Sequence, residues 1–171
     1  MTVAEAALPS MQLLGGGSAF RAQMLAMMEQ VDLLTELPWR EIELLAGYMQ
    51  AYEAQPDCIV FQEGEPGSYM GLLVAGRVVI RKETGGVEEA VISIEGQGRS
   101  IGEMALIDRE PRSASCKVLE SATVLILTRK EFERLSVQHP SIALKLLMRI
   151  SKLISRRLRL TSGQLVEHLA C

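Results

Sequence analysis

Residues 58–94, CIVFQEGEPGSYMGLLVAGRVVIRKETGGVEEAVISI, are the stretch that decides the fold. Short runs rich in Val, Ile, Leu and aromatic residues alternate there with turns that contain glycine or proline, such as Pro66-Gly67 and Gly76. Such runs are typical of strands, because β-branched side chains suit a pleated surface and glycine accepts turn conformations. Several short strands at regular spacing indicate an antiparallel barrel or roll. The predicted strands are residues 58–62, 69–74, 77–82, 87–94, 113–118 and 123–128.

The segment before the strands shows a glycine-rich tail followed by helical patterns. Residues 1–17 end in three consecutive glycines, which are costly in entropy to order, so we expect a flexible tail there. From Ser18, a candidate helix cap, apolar residues recur three and four apart as far as Leu34, a spacing that indicates a helix. Pro38 can begin a second short helix, which the pattern continues over residues 41–49.

Helical patterns return after the last predicted strand. Thr128 and Glu131 have the spacing of a capping box, in which the hydroxyl of the first residue accepts a hydrogen bond from the backbone of the second. That helix ends near His139, and a long C-terminal helix follows within residues 140–171. The predicted fold class is therefore α+β, with an antiparallel β-roll between helices, and residues 18–139 form the domain that the last helix extends.

Composition and charge narrow the classes of function. The chain has 171 residues, of which 48% are hydrophobic, and this suffices for one domain with a packed core. Its formal net charge of −3 argues against a nucleic acid or an anionic membrane as the main partner. The sequence shows neither a signal peptide nor an apolar run of the roughly 18 residues that suggest a membrane span. We therefore expect a soluble, cytoplasmic protein.

The sequence gives no indication of a catalytic or metal centre. The three cysteines, Cys58, Cys116 and Cys171, are far apart and lack the spacing of metal ligands, and only two histidines could join them. A Ser/His/Asp set and a P-loop are also missing from the sequence. We therefore expect reduced thiols, no metal, no cofactor and no enzymatic activity.

Residues 102–115, GEMALIDREPRSAS, combine features of an anion-binding site. Gly102 allows an unusual backbone conformation and the close approach of a ligand. Residues 103–107 can form one helical turn, whose backbone amides attract an anion. Strand alternation then directs Arg112 inward among apolar neighbours, and a buried arginine requires an anionic partner. That partner is either Glu103, as an internal ion pair, or the phosphate of a ligand.

This segment resembles the phosphate-binding cassette of cyclic-nucleotide-binding domains, and we call residues 102–115 the cassette. The family includes the bacterial catabolite activator protein and the regulatory subunit of protein kinase A. The resemblance extends over roughly residues 33–167, with glycines such as Gly64 and Gly67 in the expected turns. It implies a β-roll of the double-stranded β-helix or jelly-roll type that senses a cyclic nucleotide.

The resemblance also implies a role for five residues of the cassette. By this resemblance, Arg112 binds the cyclic phosphate, and Glu103 accepts a hydrogen bond from the ribose 2′-hydroxyl. Ser113 adds its N–H and hydroxyl groups to the phosphate. Gly102 and Met104 line the ribose side through backbone groups.

The last predicted helix has an apolar arc wider than one β-roll needs to cover. A second subunit that packs against the same helix would explain it, so we expect a homodimer. The alternative is a helix that packs only on its own domain. The arc consists of Leu147, Ile150, Ile154, Leu158, Thr161, Leu165 and Leu169, with a second row of Leu146, Leu153 and Leu160.

The end of this helix resembles the dimerisation helix of the activator protein. There a Thr-Ser pair contacts the adenine, one member from the partner subunit, which implies that Thr161 and Ser162 bind the base and favours cAMP over cGMP. The alternatives are a solvated helix face for this pair, and a cGMP site, since the Ser113 hydroxyl can serve a guanine. We interpret the basic cluster Arg156, Arg157 and Arg159 as a solvated flank rather than a nucleic-acid surface.

These observations favour a cAMP-binding, homodimeric regulatory protein. The activator's helix-turn-helix domain would begin after the last helix, where this sequence ends at Cys171, so we expect an unknown protein partner rather than DNA or a membrane. Two alternatives remain open. One is a ligand-free interaction or dimerisation module on the same fold, and the other is a sensor of cGMP or a cyclic dinucleotide.

Overall fold

The computed structural model describes residues 10–16, 18–85 and 89–169. Within these ranges, seven strands form one sheet and five α-helices surround it. The strands are β1 (Gln12–Gly16), β2 (Gln50–Ala54), β3 (Ile59–Phe61), β4 (Tyr69–Glu83), β5 (Glu89–Glu95), β6 (Ser100–Ile101) and β7 (Ser115–Thr128). The helices are α1 (Arg21–Met28), α2 (Trp39–Ala46), α3 (Met104–Ile107), α4 (Arg129–Gln138) and α5 (Pro140–Leu169), with 3-10 turns at Ser18–Phe20 and Asp32–Leu34.

The sheet is antiparallel throughout and follows the order β1-β2-β7-β4-β5. The short strand β3 pairs with β7, and β6 pairs with β4. The long strands β4 and β7 pair from Tyr69 opposite Thr128 to Arg81 opposite Ser115, with irregular register on both sides of Ala75. Such bulges bend a sheet and allow it to close on itself. The predicted antiparallel roll is thus confirmed.

Two pairs of predicted strands are in fact single strands. The predicted segments 69–74 and 77–82 merge into β4, and 113–118 and 123–128 merge into β7. Gly76 does not end a strand but bends it, with a φ of 81°. A Cβ atom at this position would lie 2.3 Å from the Ser121 carbonyl oxygen on β7, so the bulge requires glycine.

The N-terminal part of the chain differs most from the predictions. A flexible tail was expected over residues 1–17, but residues 12–16 form β1, which pairs with the unpredicted strand β2. Gly15 serves close packing there, because a Cβ atom would lie 2.6 Å from the ring of Phe20. Residues 1–9 and 17 lie outside the described ranges.

The helix predicted from Ser18 to Leu34 is divided, and Ser18 is not its cap. The α-helix begins at Arg21 and ends at Met28, and the 3-10 turn Asp32–Leu34 follows. The backbone N–H of Asp32 leaves the helical pattern to donate to the Gly98 carbonyl at 3.0 Å. The predicted capping box at the start of α4 is confirmed, since the Thr128 hydroxyl accepts from the Glu131 N–H at 3.2 Å.

Two clusters of buried apolar side chains hold the fold together. One lies between the helices and the sheet and includes Met24, Met28 and Leu135, together with Leu146 and Ile150 of α5. The other fills the roll, where Tyr69 packs beside β7 residues. Cys58 and Cys116 are free thiols, and Cys171 lies outside the described ranges. None of the described helices is both long and apolar enough to span a membrane.

Candidate functional site

A cavity of about 640 Å³ opens between the cassette, the strands β5 and β6, and the C-terminal half of α5. Its size lies within the usual range for small-ligand pockets. Its lining includes Phe61, Pro111 and Arg112, together with Ile92, Leu160 and Thr161. The cassette residues Gly102, Glu103, Met104 and Ser113 lie along its wall.

Arg112 lines this cavity and is buried, with only 5% of its surface exposed. Its guanidinium donates from Nη1 to the Gly102 carbonyl at 3.0 Å and from Nη2 to the Tyr69 carbonyl at 2.8 Å. The guanidinium carbon also lies 4.2 Å from the ring centre of Phe61 and 4.5 Å from that of Tyr69. These contacts fix the side chain between two aromatic rings. The predicted inward orientation is therefore confirmed, but strand alternation is not its cause, because Arg112 precedes β7, which begins at Ser115.

The positive charge of Arg112 lacks a close counter-ion. Its two hydrogen-bond acceptors are neutral carbonyl groups, and no carboxylate of the described chain lies within ion-pair distance. Burial lowers the pKa of the guanidinium, because it penalises the charged form. The alternative of an internal pair with Glu103 is wrong, since Glu103 pairs with a different arginine. A buried cation in this state is suited to bind an anion that enters the cavity.

The backbone around Arg112 is held in place by the turn that follows β3. The Arg112 N–H donates to the Glu65 carbonyl at 2.8 Å, and the Gly64 N–H donates to the Arg112 carbonyl at 2.9 Å. Gly102 has a φ of 67°, and a Cβ atom there would lie 2.4 Å from Nη1 of Arg112. Glycine is therefore needed both for this conformation and for the position of the guanidinium. The helical turn expected after Gly102 is present as α3.

Glu103 is the second buried charged residue of the cassette, with 2% of its surface exposed. Its Oε1 atom accepts a hydrogen bond from Nη1 of Arg157. Its Oε2 atom is buried and has no hydrogen-bond partner within the described part of the chain. Burial raises the pKa of Glu103, and Arg157 opposes that shift. Glu103 thus carries one buried oxygen whose hydrogen-bonding capacity is unused among the described residues.

Arg157 also lines the cavity, which the sequence did not predict. It was interpreted as part of a solvated flank, but its guanidinium also donates to the Ser100 carbonyl at 3.1 Å and lies 3.6 Å from Oε1 of Glu95. A signal was present, because Arg157 continues the three- and four-residue spacing of Leu146, Ile150 and Ile154, which are buried or half-buried. Arginine completes an apolar stripe when its charged end reaches a carboxylate.

The structure brings six of the seven predicted site residues to one cavity. Gly102, Glu103, Met104, Arg112, Ser113 and Thr161 all contribute to its lining. Met104, Ser113 and Thr161 are exposed to solvent. Ser162 is also exposed but is not part of this lining, so only one member of the Thr-Ser pair, Thr161, faces the cavity.

Comparison with known proteins identifies the domain. A sequence model of the cyclic nucleotide-binding domain matches residues 52–139. The cyclic AMP receptor protein of Thermus thermophilus is 30% identical over 119 residues, which are 70% of this chain and 53% of the relative. A cAMP-dependent protein kinase regulatory subunit of Emericella nidulans is 34% identical over 120 residues, 69% of this chain and 28% of the relative. The chain thus spans about half, or less, of the length of these curated relatives.

Solved structures agree with this assignment. A cyclic nucleotide-binding domain from Methylobacillus flagellatus superposes with a TM-score of 0.81 at 31% identity, covering 94% of this chain and 90% of that one. The Thermus thermophilus catabolite activator protein superposes with a TM-score of 0.70 at 28% identity, covering 78% and 61%. The matched family is regulatory and not catalytic, although a few relatives are large enzymes of which the match covers a small part. Because the family model matches half of the chain and a solved domain matches it almost end to end, this chain belongs to the cyclic nucleotide-binding domain family.

Proposed function

We propose that this chain is a cAMP sensor, a homodimeric cytoplasmic regulator that binds the nucleotide in the cavity and acts on a protein partner. The observation that carries the proposal is the buried Arg112, whose charge has only neutral carbonyl acceptors among the described residues. A cyclic phosphate supplies the missing negative charge through two parallel hydrogen bonds. The similarity to a cyclic AMP receptor protein and to a cAMP-dependent kinase regulatory subunit supports cAMP as the ligand.

The other polar groups of the cavity suit the sugar and the base. In this proposal the ribose 2′-hydroxyl donates to Oε2 of Glu103, which has no partner among the described residues. Gly102 and Met104 line the ribose, and Ser113 lies beside the phosphate. In this proposal the base lies against Thr161 and Leu160 of the cavity lining, where the Thr161 hydroxyl can bond the adenine edge.

Dimerisation would complete the base end of the site. The C-terminal half of α5 exposes apolar side chains, among them Leu158, which is 65% exposed, and Leu165, which is 59% exposed. Packing of two such helices against each other would remove this surface from water. Ser162, which does not line the cavity of its own chain, would then reach the base of the neighbouring subunit.

Calorimetric titration of the purified chain with cAMP, cGMP and a cyclic dinucleotide tests the proposal. We expect micromolar or tighter cAMP binding that Arg112→Ala weakens by about 2–5 kcal/mol, because a buried phosphate would lose its partner. Arg109→Ala is the matched control, since Arg109 is an exposed cassette arginine that pairs with Glu133 outside the cavity.

Other outcomes of this titration contradict specific parts of the proposal. Tighter binding of cGMP or of the dinucleotide would replace cAMP as the ligand but keep the sensor. No heat with any of the three, from protein free of co-purified nucleotide, would leave an interaction module in which Arg112 is structural.

A further inference from the structure

Two aromatic rings flank the guanidinium of Arg112. Its central carbon lies 4.2 Å from the ring centre of Phe61, at the end of β3, and 4.5 Å from that of Tyr69, at the start of β4. The two ring centres are 6.5 Å apart and the interplanar angle is 68°, so the guanidinium lies in a corner between the rings. Both aromatic side chains are buried. We call Phe61 and Tyr69 the aromatic clamp.

Tyr69 joins the two sides of the aromatic clamp. Its hydroxyl donates a hydrogen bond to the carbonyl of Val60, the residue before Phe61 on β3. Its backbone carbonyl accepts from Nη2 of Arg112 at 2.8 Å. Gly102 leaves room for both partners, because a Cβ atom there would lie 3.1 Å from Cε1 of Phe61 and 2.4 Å from Nη1 of Arg112. Tyr69 therefore contacts Arg112 directly and also fixes the strand that carries Phe61.

The aromatic clamp compensates the charge of Arg112 without occupying its hydrogen-bond donors. A buried cation with only neutral acceptors has lost hydration, which it would regain by turning towards solvent. The negative face of an aromatic ring attracts a guanidinium and opposes that movement. A carboxylate would hold the guanidinium through its N–H groups, whereas a ring leaves them free for a phosphate. The clamp can thus hold the arginine without competing with the ligand.

We infer that Tyr69, together with Phe61, is a positioning residue that keeps Arg112 in its phosphate-binding orientation before the ligand arrives. The inference rests on the proposed function and adds a determinant of its affinity. The apparent affinity of a site falls in proportion to the fraction of molecules in the binding-competent state. Without the Tyr69 ring, the guanidinium spends more time in other orientations, and binding weakens by the corresponding factor.

Calorimetric titration of the full chain with cAMP compares substitutions at Tyr69. We expect Tyr69→Leu, which removes the ring but keeps an apolar side chain, to weaken binding about tenfold, within the range of a desolvated ring–cation contact. Tyr69→Phe keeps the ring and should bind within about threefold of the wild type. Tyr48→Leu is the matched control, because the buried Tyr48 ring lies 4.6 Å from the guanidinium carbon of Arg134 and neither residue lines the cavity. This variant removes an equivalent contact and should leave the affinity for cAMP unchanged.

Nuclear magnetic resonance of the ligand-free protein measures the orientation of Arg112 directly. Protons that lie over the face of an aromatic ring are shielded by its ring current. We therefore expect upfield-shifted side-chain signals of Arg112 in the wild type, in Tyr69→Phe and in Tyr48→Leu. Tyr69→Leu should lose most of this shift. A role of Tyr69 in stability alone would leave the Arg112 signals of the folded variant in place.

The outcomes separate this inference from the proposed function. If the wild type binds cAMP and folded Tyr69→Leu binds it equally tightly, the positioning role is wrong and the sensor stands. Equal weakening by Tyr69→Phe and Tyr69→Leu would assign the effect to the hydroxyl and overturn the role of the ring. If the wild type binds no cyclic nucleotide, both proposals are wrong.

A variant on the other side of the aromatic clamp keeps the test decisive if Tyr69→Leu does not fold. Phe61→Leu removes the second ring and leaves Tyr69 with both of its hydrogen bonds. We expect a similar loss of cAMP affinity and a smaller upfield shift of the Arg112 signals. Unchanged affinity and unchanged signals in Phe61→Leu would overturn the inference.

Discussion

At the scale of single residues, the site contains two buried charged side chains, Arg112 and Glu103, which have different kinds of partner. Arg112 has neutral carbonyl partners and stacks on aromatic rings, whereas Glu103 has the Arg157 guanidinium on one oxygen. Charged groups lose hydration when they are buried, and each is stabilised only as far as its partners replace the water. The cassette therefore contains one buried cation with neutral acceptors and one buried carboxylate paired with an arginine.

The buried carboxyl of Glu103 predicts a pH dependence of stability. Burial raises its pKa above the ordinary value of about 4.3, against the effect of Arg157, while the nearby Glu95 adds to the rise. The folded state therefore binds a proton more tightly than the unfolded state, so the contribution of Glu103 to stability decreases as pH rises from the unfolded pKa through the raised one. We expect the unfolding free energy of the wild type, relative to Glu103→Gln, to fall over this window by about 1.4 kcal/mol per unit of raised pKa.

Urea titrations of ligand-free protein measure this difference over a range from about pH 4, just below the reference pKa of a carboxyl, to about pH 8. The exposed Glu110 supplies the control, since Glu110→Gln should track the wild type at all pH values. If the unfolding free energy of the wild type, relative to Glu103→Gln, instead increased with pH, the effect of Arg157 on the pKa of Glu103 would outweigh that of burial.

At the scale of elements, the sequence predicted features that depend on residues close together in the chain, but not contacts between residues far apart in it. The capping box at Thr128 depends on neighbours a few residues apart, so the sequence predicts it. The burial of Arg112 was predicted from strand alternation, but the residue precedes β7 and is held by distant backbone groups at Glu65 and Tyr69. The continuity of β4 through Gly76 depends on the carbonyl of Ser121, 45 positions further along the chain, and could not be predicted. The contact of Arg157 with Glu103 spans 54 residues and joins a helix to a loop that only the folded roll brings together.

The cassette helix α3 is fastened to α4 by one arginine, which supports a prediction at this scale. Nη2 of Arg129, the first residue of α4, donates to the Ala105 carbonyl on α3 and to the Gly67 carbonyl at 2.6 Å. Arg129→Met would leave both acceptors without this donor, and we expect a loss of about 2 kcal/mol in unfolding free energy with faster amide exchange in residues 104–108.

The matched control for this change is Lys130→Met, the exposed next residue, which should alter neither quantity. Chemical unfolding and hydrogen exchange of both variants decide the matter. Equal protection of α3 in the two variants would show that packing alone, without Arg129, holds the cassette helix.

At the scale of the whole molecule, α5 has two parts with different surroundings. Its first half packs on the core through Ile142, Leu146 and Ile150. Its second half exposes several large apolar side chains, among them Leu158, Leu160 and Leu165, and soluble monomers rarely carry such a surface without a function. The same chain therefore combines a helix anchored at one end with an unpaired apolar face at the other.

This division predicts which substitutions disrupt the proposed dimer. Leu158→Glu should shift the chain to monomer in sedimentation equilibrium. Burial of one leucine contributes about 2 kcal/mol to the free energy of association, and a symmetric dimer loses this contribution in both subunits. Leu144→Glu is the matched control, since Leu144 is 60% exposed and lies in the anchored half of the same helix. A wild type that is monomeric, or a Leu158→Glu variant that remains dimeric, would contradict this interface.

The stacked, uncompensated Arg112 has a consequence for the abundance of the protein. A buried cation without an opposite charge destabilises the folded chain. A neutral side chain of similar volume in its place would make the ligand-free form more stable. If the cyclic phosphate supplies the counter-charge as proposed, ligand binding draws chains from the unfolded to the folded population by mass action. Because proteolytic turnover in cells acts mainly on unfolded chains, the supply of nucleotide would set the lifetime of its own receptor.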